Sequence, residues 1–356
     1  MNTTIVSRRG RAVASALAFL ALVSCGGGGG GSSTPPTPPS KLFFTDGGNK
    51  ALVSIVNPAP TASFNIDRVV EGPLTGLGTG IGTVFSIPSI ALDAASDRMF
   101  VATNNGVAVF DNVSMADGNI PFSRHISGAV PLGGGGTLVV NFQYLALDTT
   151  HNFLYTVDPT GTVYVFSSAS TSNGVFAPNR TVTPSVGPVT IAPIFGIAVD
   201  TTANDMLYVG MGINGVTSIV VYNNASTINP GAPVAPDRTL TFAQSIGSIY
   251  LDTVHDRLYA AQADGHVLVF DNASTLATGA QTADRNIDLG AAFQFYIFVD
   301  TSARNKLYAV TSNTPAQVGG LAIIDNASTA NGLAPGNFFT FSPIPNIALS
   351  AIAVKP

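Results

Sequence analysis

Five apolar runs, each closed by an aspartate, punctuate the chain: SIALD to Asp93, YLALD to Asp148, GIAVD to Asp200, SIYLD to Asp252 and YIFVD to Asp300. Their aspartates stand 55, 52, 52 and 48 residues apart. Seven or eight residues after each comes an aromatic, in RMF at 98–100 and in LY at 154–155, 207–208, 258–259 and 307–308. A turn rich in Gly, Asn or Asp follows, then an alternating stretch such as HVLVF at 266–270. These short runs bounded by turn residues predict strands, and no unit carries a helical period of useful length.

The alternating stretch ends in a recurring motif: VFDNVSM (109–115), VFSSAST (165–171), VYNNAST (221–227), VFDNAST (269–275) and IIDNAST (323–329). A further segment usually carries arginine, in DRVV (67–70), SRHI (123–126), NRTV (179–182), DRTL (237–240) and DRNI (284–287). Four short strands per unit of about fifty residues predict the blade of a β-propeller. Residues 41–70 supply the second, third and fourth strands of a unit, and NIALSAIAV at 346–354 supplies an unpartnered first strand. Joining them completes one blade from both termini and leaves no open sheet edge. The fold expected for 41–356 is therefore all-β, a six-bladed propeller closed by its C-terminal strand.

The pattern of LD, short turn, LY, glycine turn and V.VFDN resembles the NHL and YVTN repeats and the broader six-bladed, lactonase-like propellers. That resemblance covers 41–356 and implies a fold more firmly than a function, because propellers host enzymes, receptors and scaffolds alike.

Composition changes the picture mainly at the N-terminus. MNTTIVSRRGR supplies a positive start and AVASALAFLALVS (12–24) a thirteen-residue apolar stretch, too short to span a bilayer and suited to a secretory signal. It ends in LVSC (22–25), which resembles the lipobox of bacterial lipoproteins and implies that Cys25 is the lipidated first residue of the mature chain. Residues 26–40, GGGGGGSSTPPTPPS, form a tether with a span of roughly 20 Å. Residues 1–24 thus read as signal peptide, 25–40 as anchor and tether, and 41–356 as propeller. The expected address is a bacterial cell envelope, and Gly26, in place of an aspartate after Cys25, points to the outer membrane. Without residues 1–24 the chain carries 12 cationic against 20 acidic residues, which argues against nucleic acid as a partner. A membrane-anchored monomer that meets an envelope protein or a carbohydrate is expected instead.

Candidate chemistry is sparse. Fourteen of the nineteen aspartates recur with the repeat, which assigns them to blade architecture. The six-bladed lactonases that the fold resembles hold a divalent cation with Glu, Asn and Asp oxygens. Here the sole glutamate, Glu71, ends a fourth strand away from the axis. No metal site is assigned, Ca²⁺ stays a possible cofactor, and a metal-assisted lactonase or lyase is the alternative to a binding scaffold. His125, His151, His255 and His266 fall in different units, and no nucleophile elbow or phosphate loop is present. What stands out are the turns between second and third strands, with Asp46, Asp158 and Asp264 in blades one, three and five and Asn104, Asn214 and Asn313 in blades two, four and six. In propellers these turns share one face with the blade-to-blade connections, of which 71–87 and 127–142 are the longest. This rim is the candidate ligand-binding site, although Asn-Gly and Asp-Gly also favour tight hairpins for purely conformational reasons.

Overall fold

The computed structural model describes residues 40–46, 49–56, 66–77, 89–103, 106–131, 137–175, 177–187, 191–228, 233–290, 294–313, 318–334, 337–340 and 349–356. All of them fall within the compact unit Pro38–Pro356. Cys25, the signal segment, the tether, Asn104 and 78–87 lie outside the described residues.

The chain folds as a six-bladed β-propeller. Blade one pairs the C-terminal strand Leu349–Lys355 with Lys41–Asp46, followed by Ala51–Val56 and Ile66–Val70. Blade two runs Ile90–Asp93, Arg98–Thr103, Gly106–Asp111 and Arg124–Ser127 from axis to rim, and blade three Tyr144–Asp148, Phe153–Val157, Val163–Ser167 and Arg180–Pro184. Blade four runs Ile191–Asp200, Met206–Ile213, Val216–Asn223 and Arg238–Phe242. Blades five and six follow with Ile246–Asp252, Arg257–Gln262, His266–Asp271 and Arg285–Asp288, then Gln294–Asp300, Lys306–Asn313, Val318–Asp325 and Asn337–Thr340. Each inner strand neighbours the inner strands of the blades on either side, and the last neighbours the first, so the ring is closed.

Closure is built from both termini as the chain pattern predicts. Leu42 stands opposite Val354 and Phe44 opposite Ile352. Thr45 Oγ1 and Ser350 Oγ lie 2.9 Å apart, and the Ala351 amide donates to Thr45 Oγ1 at 3.0 Å. These polar atoms are buried and satisfy each other across the join.

The core lies between blades rather than within them. Phe100, Val107 and Val109 of blade two pack with Leu154 and Phe166 of blade three, and Phe142, in the connection between these blades, joins the cluster. Its ring stands 5.8 Å from both Tyr164 and Phe166. Blades four and five share Tyr208, Val221, Phe242 and Phe270 in the same manner. Each such side chain contributes about 1.5–3 kcal/mol when fully buried, so packing at the seams stabilises the ring.

Two features go beyond the four-strand unit. After each motif the chain crosses to the preceding blade and adds a short parallel strap to its outer strand. Pro233–Val234 pairs with Thr183 and Pro184, Gly279–Ala280 with Leu240 and Thr241, and Gly332–Leu333 with Ile287 and Asp288. Single parallel bridges, Val70 to Gly118 and Ile126 to Gly174, mark the same strap at the first two seams. A sheet edge that would otherwise present unpaired amides and carbonyls is thus covered by its neighbour. Second, the connection at 127–142 is no plain loop, because Ala129–Pro131 pairs with Thr137–Val139 as a small antiparallel hairpin.

Candidate functional site

The two ends of the ring are built differently. At one end stand the hairpins between first and second strands together with the VFDNAST turns. The fourth residue of every copy, Asn112, Ser168, Asn224, Asn272 or Asn326, has φ between 55° and 57°. Asn tolerates this left-handed backbone better than most residues, which explains its recurrence. The following Ser is held by the preceding hairpin of its own blade. In blade five the Ser274 amide donates to Asp256 Oδ1 at 2.8 Å and its hydroxyl to Oδ2 at 2.7 Å. Asp205 holds Ser226 at 2.8 and 2.6 Å, Asp97 holds Ser114, and Asn152 and Asn305 do the same for Ser170 and Ser328.

The turn then presents its carbonyls to the preceding blade. Arg238 of blade four donates to Ser274 O at 2.8 Å and Leu276 O at 3.0 Å in blade five. Arg124 reaches Ala169 O, Arg180 reaches Ser226 O, and Arg285 reaches Ser328 O. The repeat arginine therefore crosses the seam. At the first seam Arg68 instead faces Asp117 Oδ2 of blade two at 4.0 Å, and lysines make the turn contacts, with Lys41 Nζ on Ser114 O at 2.5 Å and Lys355 Nζ on Asp97 Oδ1 at 2.9 Å. Burial alone would raise the Asp97 carboxyl, but hydrogen bonds from Ser114 and Lys355 hold it below its ordinary value. Asp111 is likewise held low, against its own desolvation, by Arg98 and Arg124.

At the other end lies the predicted rim. The five described positions fall one per blade, and those whose side chains are described mostly serve their own hairpins. Asp46, 1% exposed, accepts from the Asn49 amide and from Nδ2 at 2.5 Å. Asp158 Oδ1 accepts from Thr160 N, Thr160 Oγ1 and Thr162 N at 2.7–3.0 Å, while Tyr164 donates to Oδ2 at 3.1 Å. Asn214 and Gly215, with φ of 50° and 78°, make a two-residue turn of the primed kind. Asp264 is the more open of the set, half-exposed and 3.1 Å from His266 Nδ1. Asn313 closes its strand opposite Val318.

The axis itself holds residues that the strand pattern absorbed as core. Tyr144 and Tyr296 occupy matching positions, four residues before the closing aspartate, in blades three and six. Those blades face each other across a ring of six, and the two phenol rings meet with centroids 6.4 Å apart. Two residues further along, Tyr250 and Phe298 of blades five and six pack at 4.9 Å. Ala91, Ala146, Ala198 and Ala353 stand at this second position in the other blades, so small and large side chains interlock. Burial pushes the Tyr144 phenol up to about 12, with Tyr296 acting weakly in the opposite sense, and burial raises Tyr296 further. Burial favours the neutral phenol of both, which can stack or hydrogen-bond. Ser248, at the same register as the tyrosine pair, and Tyr296 keep buried hydroxyls with no well-formed hydrogen bond. The available signal was the swap of Ser or Gly for Tyr at the start of YLALD and YIFVD. Among the described residues, no three His, Cys, Asp or Glu side chains converge as a metal site would require.

Comparison with known proteins supports the fold alone. No family model matches the sequence, and no curated protein does. Among solved structures, a chain of a nidogen/laminin complex is 13% identical with a TM-score of 0.52, covering 89% of this chain and 98% of that one. The β-propeller domain of Myceliophteria thermophila Cps50 (Swd1) is 12% identical with a TM-score of 0.43, covering 74% and 70%.

Proposed function

We propose that this propeller is a binding scaffold, tethered through Cys25 to the outer membrane of a bacterial envelope, which engages an envelope protein or carbohydrate with its loop face. The observation that carries the reading is the filled axis: tyrosines from opposite blades meet where a channel enzyme would admit substrate. Most turn groups at the opposite end hold blades together, which leaves the rim around Asp46, Asp158, Asn214 and Asp264 as the more variable surface. The likeness to a chain found in a complex of two proteins agrees with this use of the fold.

Site-specific photo-crosslinking in cells tests it. Val216, 48% exposed in a loop-face hairpin, and Val254, 72% exposed at the other end, are each replaced by a photoreactive residue. A discrete adduct at Val216 and none at Val254 is expected, and adducts at neither or only at Val254 would overturn the loop-face assignment. Labelled palmitate incorporated by the wild type but not by Cys25→Ala is the expected result for the anchor.

A further inference from the structure

The seam between blades two and three departs from the others at several positions at once, and a cleft opens there. In blades three and five, which share the four-residue first hairpin of blade two, a histidine three residues after the closing aspartate covers it. His151 Nδ1 lies 2.7 Å from Asp148 Oδ2, and His255 Nδ1 2.8 Å from Asp252 Oδ2. Blade two has Ser96 at this position, whose amide binds Asp93 Oδ1 at 3.1 Å and leaves the other oxygen facing Arg98 NH1 at 3.8 Å. The second-strand tyrosine of blades three to six is Phe100 in blade two, so no hydroxyl reaches over the seam as Tyr155 does to Ala225 O. Smaller groups at two neighbouring positions leave a cleft of about 280 Å³, lined by Asp93, Ser96, Arg98 and Phe100 of blade two and by Leu147 and Thr149 of blade three, among others.

Blade five is an internal control. It repeats the framework, with Arg257 on Asp271 at 2.8 Å and Arg285 on the same oxygen at 2.9 Å, as Arg98 and Arg124 bind Asp111 at 2.6 and 3.3 Å. The leading blades of the two seams, two and five, share these charges and differ in His255 and Tyr259 against Ser96 and Phe100.

We infer that this cleft is a carbohydrate subsite that takes one sugar ring. A carboxylate and a guanidinium side by side offer acceptor and donor for neighbouring hydroxyls, and their charges cancel, which favours a neutral ligand over an ion. The hydroxyls of Ser96 and Thr149 extend the polar wall, while half-buried Leu147 gives the apolar patch on which the C–H face of a pyranose rests and the core residue Phe100 closes the base of the cleft. At the small end of ligand-pocket volumes, the cleft suits a single ring rather than a peptide. It lies on the end opposite the loop-face rim, so it stands or falls independently of that reading.

The test uses the full chain with D-glucose, D-galactose, D-mannose, L-rhamnose and N-acetyl-D-glucosamine as probes, in saturation-transfer NMR followed by calorimetric titration. At least one sugar binds the wild type, and the paired substitution Ser96→His with Phe100→Tyr, which installs the residues of blade five, weakens it at least tenfold without lowering the melting temperature. Thr149→Trp, which blocks the cleft from blade three, gives the same loss and serves if the paired variant does not fold. Absence of saturation transfer from every probe, or undiminished affinity in the variants that fold, overturns the proposal.

Discussion

The motif end and the loop end of the propeller are both made from turns between antiparallel strands, yet one repeats nearly letter for letter and the other does not. The difference follows from whom each turn serves. A VFDNAST turn must hold its own blade through a serine and present carbonyls to an arginine of the previous blade, so its residues answer two sets of constraints. A loop-face hairpin such as Asp158 to Thr162 satisfies only itself, and any sequence that makes the turn will do. Repetition in this chain therefore marks contacts between blades, and variation marks turns that answer only to themselves.

Breaking the ring altogether gives the largest effect. Deleting 349–356 removes buried Ala351, Ile352, Ala353 and Val354 from blade one, a loss of at least about 5 kcal/mol and comparable to the whole stability of many domains. The truncated chain is expected to lose its cooperative thermal transition by circular dichroism, and a transition unchanged from the full chain would rule out closure by this strand. Next comes the contrast between ends. Arg238→Met strands the carbonyls of Ser274 and Leu276 at a cost of about 2–3 kcal/mol, whereas Asp264→Ala on the loop face changes stability by no more than about 0.5 kcal/mol. Urea titrations of both variants check the order, and equal losses would erase the distinction between ends.

A smaller effect comes from His125, whose backbone is strapped by Asn173 and Gly174 of the next blade. Burial lowers its pKa from 6.5. Its contribution is intact above pH 6.5 and is lost as the pH falls through the folded-state value. Lowering the pH from 7.5 to 5.5 should lower the wild-type melting temperature, and His125→Phe should be flatter across that window. A variant with the same pH slope as the wild type would assign the effect elsewhere.

The six blades, their closure from both termini and the conformational role of the repeat aspartates were all legible in the chain, because hairpin pairing is local and turn chemistry is written in the residues that make it. The straps, the arginines that cross the seams and the lysines that make the turn contacts at Asp97 and Ser114 were not, because the repeat period carries no record of which neighbouring blade a side chain meets. Tyr144 and Tyr296 were visible as aromatics, but that they meet depends on six blades bringing the third opposite the sixth. The cleft beside Asp93 was legible only in retrospect, as RMF in place of LY and as a missing histidine in AASD.

The central claim is that one repeated turn joins two blades, and a double-mutant cycle between Arg238→Met in blade four and Asp256→Gly in blade five tests it most directly. Asp256 shapes the turn whose carbonyls Arg238 binds, and glycine keeps the positive φ of 52° without strain. The cycle should show a coupling of about 1 kcal/mol, because an undocked turn gives the arginine little to hold. Losses that add to within about 0.3 kcal/mol would mean the turn and the arginine act separately, and would contradict the account.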